Sequence, residues 1–573
     1  MRIITFIPIS SRMLGIIAGI IVITVITVIF PREIFAANNK FGIHLAVANL
    51  EDIKKAADLV NSTGGKWGYV TLVIQENDRN REKWQEVFDF LREFHLIPLI
   101  RLATNPQSNF WKRPQKEDVD EWVNFLESLN WVVKNRYIIL FNEPNHGLEW
   151  GGTVDPEGYA NIAKAFAEKL KTKNKDYFIM LAGLDASAPS SSPLYEDEAF
   201  YLDRVINTIS SSKFNELFSG WVSHSYPNPG FLGSVYDTGR GTLKTYQWEL
   251  EILGEKGIKD LPVFITETGW DGGRMSKERI GDLYKTAFES IWVPDERVKA
   301  VTPFVLSYLS EPFAIFSWIA PDNQNFYPQY YVTQNISKVK GSPEIVEKGQ
   351  IITDLPEKMI VKSTYRFKIT LINEGQALWD KSDGYELAVD DNPYVEALFD
   401  NISKIKPGGD QSINVTLKTK QDIGKGKLKI SLKKDNQKII ESKEWLFEIL
   451  PLPRLEFKIG FFPKVKAQAK DVELQIFNDN EELIYKEKNI PVSQGKGIIE
   501  KVPNIIVGRR YRLVVLRPYY LPRQKHIIFQ KDLNQTGFTV MLPLDFNIDG
   551  KFNLADLGTL WNNKNLSSLW FIK

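Results

Sequence analysis

The sequence predicts an α/β chain made of a (β/α)8 TIM barrel, two all-β sandwich-like domains and a short tail with a calcium loop and a helix. Short apolar runs alternate with helix-period segments from about residue 40 to residue 330. An alternation with a period of two replaces this pattern near Lys340. Oxygen-bearing side chains recur at regular spacing close to the C-terminus. The 573 residues exceed what one hydrophobic core supports, so several domains are expected.

Net charge and cysteine content narrow the possible kinds of site. The net charge of +1 gives no electrostatic reason to expect binding to nucleic acid. The absence of cysteine excludes disulfides and cysteine-ligated zinc.

Residues 1–37 have the pattern of an export segment. Arg2 and Arg12 precede an apolar run over 14–30, and Ala36 and Ala37 supply small residues at a possible cleavage site. The run is at the lower limit of a bilayer span, so a cleaved signal peptide and an uncleaved membrane anchor both remain open. Either one predicts an extracellular or cell-surface protein, with membrane contact only through this segment.

Residues 38–335 are predicted to form the barrel. Eight apolar runs fit its strands, at 41–46, 67–74, 97–102, 137–141, 177–182, 220–226, 262–266 and 301–306. Helical periodicity lies between most of them, at 82–94, 119–129, 158–170 and 277–290. A doubly wound open sheet is the rival, but it usually carries a glycine-rich phosphate loop after its first strand, and none follows the first run here.

Two glutamates mark the predicted active site. Glu143 follows the fourth run and Glu267 follows the seventh. Carboxylates just past buried parallel strands are well placed for chemistry at the mouth of a barrel. A protonated carboxyl can give a proton to a leaving oxygen, while an ionised one attacks an anomeric carbon. At about 5–5.5 Å apart, such a pair hydrolyses a glycoside with retention of configuration.

Polar neighbours strengthen this interpretation. Asn142 precedes Glu143, and its amide could hold a sugar 2-hydroxyl. His224 and Tyr226 lie two apart at the end of the sixth run, so both can face the cleft. Arg101 ends the third run and could lower the pKa of a carboxylate.

Aromatic residues and one further histidine complete the predicted substrate site. Trp318 follows the eighth run and could form a stacking floor, and His44 ends the first run. Trp111, Trp150 and Trp270 lie in predicted loops and are candidates for sugar platforms. A structural role in the core is the alternative for each of them.

Taken together, Asn-Glu-Pro, His-x-Tyr, Thr-Glu-Thr-Gly-Trp and the late tryptophan resemble the retaining glycoside hydrolases of clan A, such as family 5 cellulases and mannanases. The resemblance covers about residues 40–330. It implies that Glu143 is the acid/base, that Glu267 is the nucleophile and that no cofactor serves catalysis. It places Asn142, His224, Tyr226, Arg101 and Trp318 at substrate-site positions. The expected function is an exported retaining glycoside hydrolase that cleaves β-glycosidic bonds of a polysaccharide or oligosaccharide by double displacement.

Other interpretations remain open. Either glutamate alone could be a salt-bridged rim residue. The barrel could be a catalytically silent glycan-binding or adhesion protein, or a transglycosylase that uses the same site. His146-x-x-Glu149 could suggest a metal, but it stands in a glycine-rich loop and lacks a third ligand.

The C-terminal third predicts two β-domains. Period-two strands over 336–452, with Trp379 after an Asn-Glu-Gly turn, resemble an immunoglobulin-like sandwich, either a spacer or a sugar-binding module. Pro451 and Pro453 make a stiff boundary to a second β-rich domain over 453–542.

Residues 543–573 carry the spacing of a calcium loop. Its predicted ligand positions are Asp545, Asn547, Asp549, Lys551, Asn553 and Asp556, with Gly550 at the sharp turn. The pattern resembles one repeat of a dockerin, a module that has two. It implies structural Ca²⁺ and, as a further possibility, a cohesin-like or cell-surface partner.

Overall fold

The computed structural model describes residues 38–322, 324–466 and 468–562. It divides into two compact units, Met1–Glu344 and Ile345–Lys573. The boundary lies later than the predicted end of the barrel at residue 335. The predicted export segment lies outside the described residues. Within the described ranges, no helix is both long enough and apolar enough to cross a membrane.

The first unit contains eight parallel strands. They are β1 Gly42–Leu45, β2 Gly68–Gln75, β3 Leu96–Ala103, β4 Arg136–Leu140, β5 Tyr177–Leu181, β6 Trp221–His224, β7 Val263–Glu267 and β8 Val298–Val301. Strands β1 to β5 pair in sequence order, and so do β6 to β8. Parallel bridges from Asp185 to His224 and from Val301 to Phe41 join the two sets. The strands therefore close into a barrel, as predicted.

Helices follow every barrel strand. They are α1 Leu50–Val60, α2 Arg81–Glu93, α3 Asp118–Glu127, α4 Pro156–Lys173, α5 Glu198–Ile209, α6 Ser211–Leu217, α7 Thr245–Glu255, α8 Lys277–Ala287 and α9 Pro328–Gln334. Several begin at the capping residues that their sequences supply. Asp155, for example, accepts a hydrogen bond from the Gly158 amide, and Pro156 occupies the first turn of α4. Each helix lays an apolar face on the strands, which places the core between the two layers.

The eighth strand differs from its prediction. The predicted run covers 301–306, whereas β8 spans Val298–Val301. The chain beyond β8 still follows β7, because Thr302 N donates to Ile265 O at 2.8 Å and Phe304 N donates to Thr268 O at 3.0 Å. The apolar run after Val301 is thus an irregular extension that reaches the barrel mouth.

The described residues of the second unit are mostly β-strand, with a 3₁₀ turn at Lys381–Asp383 and one α-helix near the C-terminus. Its strands are β9 Gly349–Thr353, β10 Lys358–Ile360, β11 Thr364–Asn373, β12 Tyr385–Val389, β13 Val395–Phe399, β14 Asp410–Thr419, β15 Gly424–Leu428, β16 Ile430–Lys434, β17 Gln437–Glu441, β18 Trp445–Leu450, β19 Arg454–Lys458, β20 Ala469–Phe477, β21 Leu483–Ser493, β22 Lys496–Ile499, β23 Arg510–Arg517, β24 Tyr520–Ile528 and β25 Leu533–Gly537. Helix α10 spans Leu554–Asn562.

Two hydrophobic cores organise these strands. Strands β9 to β18 form three small sheets around one core, and Trp379 is fully buried in it. Strands β19 to β25 form a single seven-stranded sheet with its own core. The second domain is therefore β-rich, with one continuous sheet where a sandwich-like domain was expected.

Candidate active site

The carboxyl ends of four barrel strands bring the predicted polar residues together. Arg101 lies in β3, His224 ends β6 and Glu267 ends β7. Glu143 follows β4. Carboxyl ends of parallel strands meet at the same mouth of the barrel, which is where active sites of this architecture lie.

The backbone around Glu143 is held in an unusual conformation. Phe141 has φ +76° and Glu143 has φ +30°, in the left-handed region that side chains rarely adopt. Hydrogen bonds fix this conformation, because Glu143 N donates to Gly183 O at 3.1 Å and His146 N donates to Glu143 O at 2.8 Å. Strain that the surroundings over-determine is concentrated at functional sites.

Glu267 is buried and is held as a carboxylate. Arg101 Nη1 donates to its Oε1 at 2.5 Å, and the Tyr226 hydroxyl donates to its Oε2 at 3.1 Å. Burial alone would raise the pKa of Glu267, but His224 and Arg101 outweigh burial and lower this pKa to about 2. The side chain is therefore a carboxylate over the whole ordinary pH range.

Glu143 is hydrogen-bonded to a histidine that carries a proton readily. His224 Nδ1 lies 2.7 Å from Glu143 Oε1. Burial lowers the pKa of His224, but Glu267 and Glu143 outweigh burial and raise this pKa above its usual value. His224 therefore binds a proton more readily than a free imidazole, and its hydrogen bond to Glu143 lies next to the carboxylate of Glu267.

The three side chains converge closely. One ligand atom each of Glu143, His224 and Glu267 lies within 4.8 Å of the other two. Three such groups could also hold a metal ion, but Arg101 already places a positive charge 2.5 Å from Glu267 and would repel a cation there. The arrangement is better suited to proton transfer beside a carboxylate.

Three tryptophans do not have the roles that the sequence suggested. Trp150, Trp270 and Trp318 are each at most 1% exposed. Trp150 packs on Phe141, and the rings of Trp270 and Trp318 both pack on Tyr284. The expectation that they stack on a sugar is wrong, because no ring face is open to a ligand. Trp111 is half-buried and keeps its candidate role.

His44 and Phe304 meet at the mouth instead. Phe304 is half-buried, and its ring stands edge-on to the ring of His44 with centroids 5.0 Å apart. Burial and Arg101 lower the pKa of His44 to about 3, so this ring is neutral at ordinary pH. Phe304 escaped the sequence analysis because a tryptophan was expected after β8. Its position directly after Pro303, within the predicted run over 301–306, was the available signal.

A third carboxyl also reaches the site. Glu149 is half-buried, and its Oε2 accepts a hydrogen bond from Asn142 Nδ2 at 3.4 Å. Asn142 Oδ1 accepts from Arg101 Nη1 at 2.5 Å. In the sequence, Glu149 stands out only with His146 as a possible metal motif. In the structure, His146 pairs instead with Asp185, with Nε2 2.8 Å from Oδ2.

The predicted calcium loop fits a cation in part. Asp545 Oδ1 is buried and has no hydrogen-bond partner among the described residues, as an oxygen that faces a cation would. Gly550 has φ +82° at the sharp turn, a conformation that favours glycine. Asp556 accepts hydrogen bonds from the amides of Phe546 and Asn553 at 2.9 and 2.8 Å. In this structure the Asp556 carboxylate therefore accepts hydrogen bonds from backbone amides of the loop.

No protein-family model matches this chain, and no curated protein matches it. Matching solved structures include a monomeric β-xylosidase from Caulobacter crescentus, with 10% identity, a TM-score of 0.39, and coverage of 84% of this chain and 97% of that one. An endo-β-1,3-glucanase of family GH128 from Pseudomonas viridiflava matches at 12% identity and TM-score 0.36, over 52% and 98% of the two chains. A family 51 α-L-arabinofuranosidase from Bifidobacterium longum matches at 10% identity and TM-score 0.38, over 82% and 95%. Similarity this low assigns no activity to the chain, whose barrel is established by its own strand pairing.

Proposed function

We propose that this protein is a retaining glycoside hydrolase that cleaves β-glycosidic bonds of a polysaccharide or oligosaccharide by double displacement. The observation that carries the proposal is that an ionised Glu267 lies within 4.8 Å of Glu143, whose hydrogen-bond partner His224 has a raised pKa. One carboxylate and one proton-bearing group at the same mouth are the two reagents that this chemistry needs.

In the first step, a Glu267 oxygen attacks the anomeric carbon and forms an ester, while the bond to the leaving oxygen breaks. The Glu143 carboxyl gives its proton to that leaving oxygen and becomes a carboxylate. In the second step, Glu143 takes a proton from water, the water oxygen attacks the anomeric carbon, and the ester bond breaks. Glu267 returns as a carboxylate.

The short separation of the two glutamates supports this route over inversion. Inverting enzymes keep their carboxyls about 6.5–9.5 Å apart to admit a water between them. Here an oxygen of Glu143 and an oxygen of Glu267 lie within 4.8 Å. Asn142, held beside Glu143, is the group assigned to the sugar 2-hydroxyl.

The test is a substrate panel with a matched pair of variants. Parent protein, Glu267→Gln and Glu289→Gln are assayed on aryl β-glycosides and on β-glucan, β-mannan and β-xylan. Glu289 is an exposed residue after α8, so its variant controls for loss of one negative charge. The proposal expects a loss of at least about 10³-fold for Glu267→Gln only. Full activity in that variant would remove Glu267 from the role of nucleophile.

We also propose that the tail binds structural Ca²⁺ through the loop that begins at Asp545. The unpartnered Asp545 Oδ1 supports it. Calcium is expected to raise the melting temperature of the parent and not that of Asp545→Ala. An equal rise in the melting temperature of both proteins, or no rise in the parent, would contradict calcium binding by this loop. We propose a cohesin-like or cell-surface partner for the same tail, because its loop spacing resembles one dockerin repeat.

We further propose that residues 1–37 direct export. The basic start and the apolar run over 14–30 support it. Expression of the full chain, followed by fractionation and N-terminal sequencing, would find the protein outside the cytoplasm. Sequencing would also decide between cleavage and a retained anchor. Accumulation in the cytoplasm with an intact N-terminus would contradict the proposal.

A further inference from the structure

Glu149 lies in a one-turn helix, Gly147–Glu149, directly after the Asn-Glu-Pro stretch. Its backbone is anchored, because Glu149 N donates to His146 O at 3.0 Å and the next residue, Trp150, is fully buried. The anchored backbone of this turn therefore directs the Glu149 carboxyl toward the site. None of the chemical steps above uses this carboxyl.

Glu149 holds one end of the Asn142 amide. Asn142 Oδ1 accepts from Arg101 Nη1 at 2.5 Å, and Asn142 Nδ2 donates to Glu149 Oε2 at 3.4 Å. A side-chain amide has a defined orientation when its oxygen and its nitrogen both have partners. Arg101 also binds Glu267, so the nucleophile, the amide and Glu149 belong to one hydrogen-bonded chain.

We propose that Glu149 is a positioning residue of this site, which fixes the orientation of the Asn142 amide toward the substrate and places a third titratable carboxyl beside the acid/base. The proposal rests on the proposed glycosidase function and deepens it. Glu149 acts through Asn142 and through its charge, and it makes no bond to the reacting carbon.

The charge of Glu149 changes close to neutral pH. Burial raises the pKa of Glu149 to about 7, and Glu143 and Glu267 raise it as well, while Arg101 and the Asn142 hydrogen bond oppose them. His146 is the other titratable group that faces it. Below this pH the neutral carboxyl still accepts from Asn142 through its carbonyl oxygen. Above it, a new negative charge stands beside Glu143.

The sign of the resulting effect on activity follows from electrostatics. A negative charge favours the protonated form of a neighbouring group. Ionised Glu149 therefore retains the catalytic proton on the pair formed by Glu143 and His224. Parent activity should persist to higher pH than that of a variant that lacks the charge.

Three variants test the proposal. In Glu149→Gln, which keeps the shape and accepts from Asn142, kcat at about pH 5 should stay within about threefold of the parent, and the alkaline limb of the kcat profile should move down by about one pH unit. In Glu149→Ala, kcat should fall by about tenfold at about pH 5, and the alkaline limb should also move down as it does in Glu149→Gln. In the Asn142→Ala background, Glu149→Ala should cost little more at about pH 5, because the two residues act as one unit.

Different outcomes test the electrostatic role of Glu149 and its positioning of the Asn142 amide. An alkaline limb in Glu149→Gln identical to that of the parent overturns the electrostatic role. An undiminished effect of Glu149→Ala in the Asn142→Ala background overturns positioning through the amide. If the parent cleaves no glycoside, the proposed function fails, and ¹³C NMR titration of the carboxyls still tests Glu149. A signal that titrates near neutral pH and disappears in Glu149→Gln is expected, and its absence overturns this inference.

Discussion

Gly183 gives the sharpest test of the contact between Glu143 and His224. Gly183 follows β5, its carbonyl accepts from Glu143 N, and the His224 ring lies against its α-carbon. An added β-carbon would stand 2.3 Å from His224 Cδ2 and 2.5 Å from Nε2, whereas ordinary contact begins at 3.4 Å. The ring in Gly183→Ala must therefore move by about 1 Å, because the core around it is close-packed.

A displacement of that size away from Glu143 breaks the contact on which the proposed acid/base depends. The bond from His224 Nδ1 to Glu143 Oε1 is 2.7 Å long, and hydrogen bonds fail beyond about 3.5 Å. Misplacing a reacting group by about 1 Å can cost about 10²-fold in rate. We expect Gly183→Ala to lower kcat by about 10²-fold and to lose about 1–3 kcal/mol of stability through overpacking.

The assay is kcat on an aryl β-glycoside, with thermal melting to verify the fold. Gly254→Ala is the matched control, since nothing lies within 4 Å of its added β-carbon and it sits in helix α7. A second pair isolates the mechanism: in a His224→Ala background the ring is gone, so adding Gly183→Ala should cost little more. A folded Gly183→Ala protein with the parent's kcat would refute the reasoning.

Three further substitutions have definite outcomes. Arg101→Met removes the cation that helps to lower the pKa of Glu267. The acid limb of the kcat/KM profile should therefore move to higher pH, and kcat/KM should fall by about 10²-fold. An acid limb at the same pH as in the parent would contradict this. Tyr226→Phe removes the 3.1 Å hydrogen bond to Glu267 and should cost about tenfold in kcat with an unchanged melting temperature; an unchanged kcat would contradict it. Glu198 and Glu249 are fully buried, and burial raises the pKa of both carboxyls. The folded state therefore keeps protons that the unfolded state releases. The free energy of unfolding consequently falls as the pH rises above the unfolded pKa. Glu198→Gln should therefore gain melting temperature over the parent between about pH 5 and pH 8, and a constant difference would argue against this pair.

Sequence reasoning located the pair of glutamates because strand-end position is a local property. Apolar runs followed by Glu143 and Glu267 indicate buried strands with carboxylates at their ends. The distance between these carboxylates depends on how the barrel closes, through the bridges at Asp185 and Phe41. Only the structure supplies that distance.

The predicted sugar-stacking role of the tryptophans was wrong for a related reason. An aromatic residue after a strand can face the mouth or turn under the helices, and the sequence pattern is the same in both cases. Trp318 turns under and packs on Tyr284, while Phe304 reaches the mouth beside His44. Glu149 was missed because its role depends on Asn142, a contact set by the turn over Gly147–Glu149.

The stereochemistry of hydrolysis tests the central claim most directly. An active β-glycoside is hydrolysed by the parent protein in an NMR tube, and the anomeric proton of the first product is followed before mutarotation. The convergence of Glu143 and Glu267 within 4.8 Å predicts that the β-anomer forms first. Initial formation of the α-anomer would mean inversion, and it would contradict the assignment of Glu267 as the nucleophile.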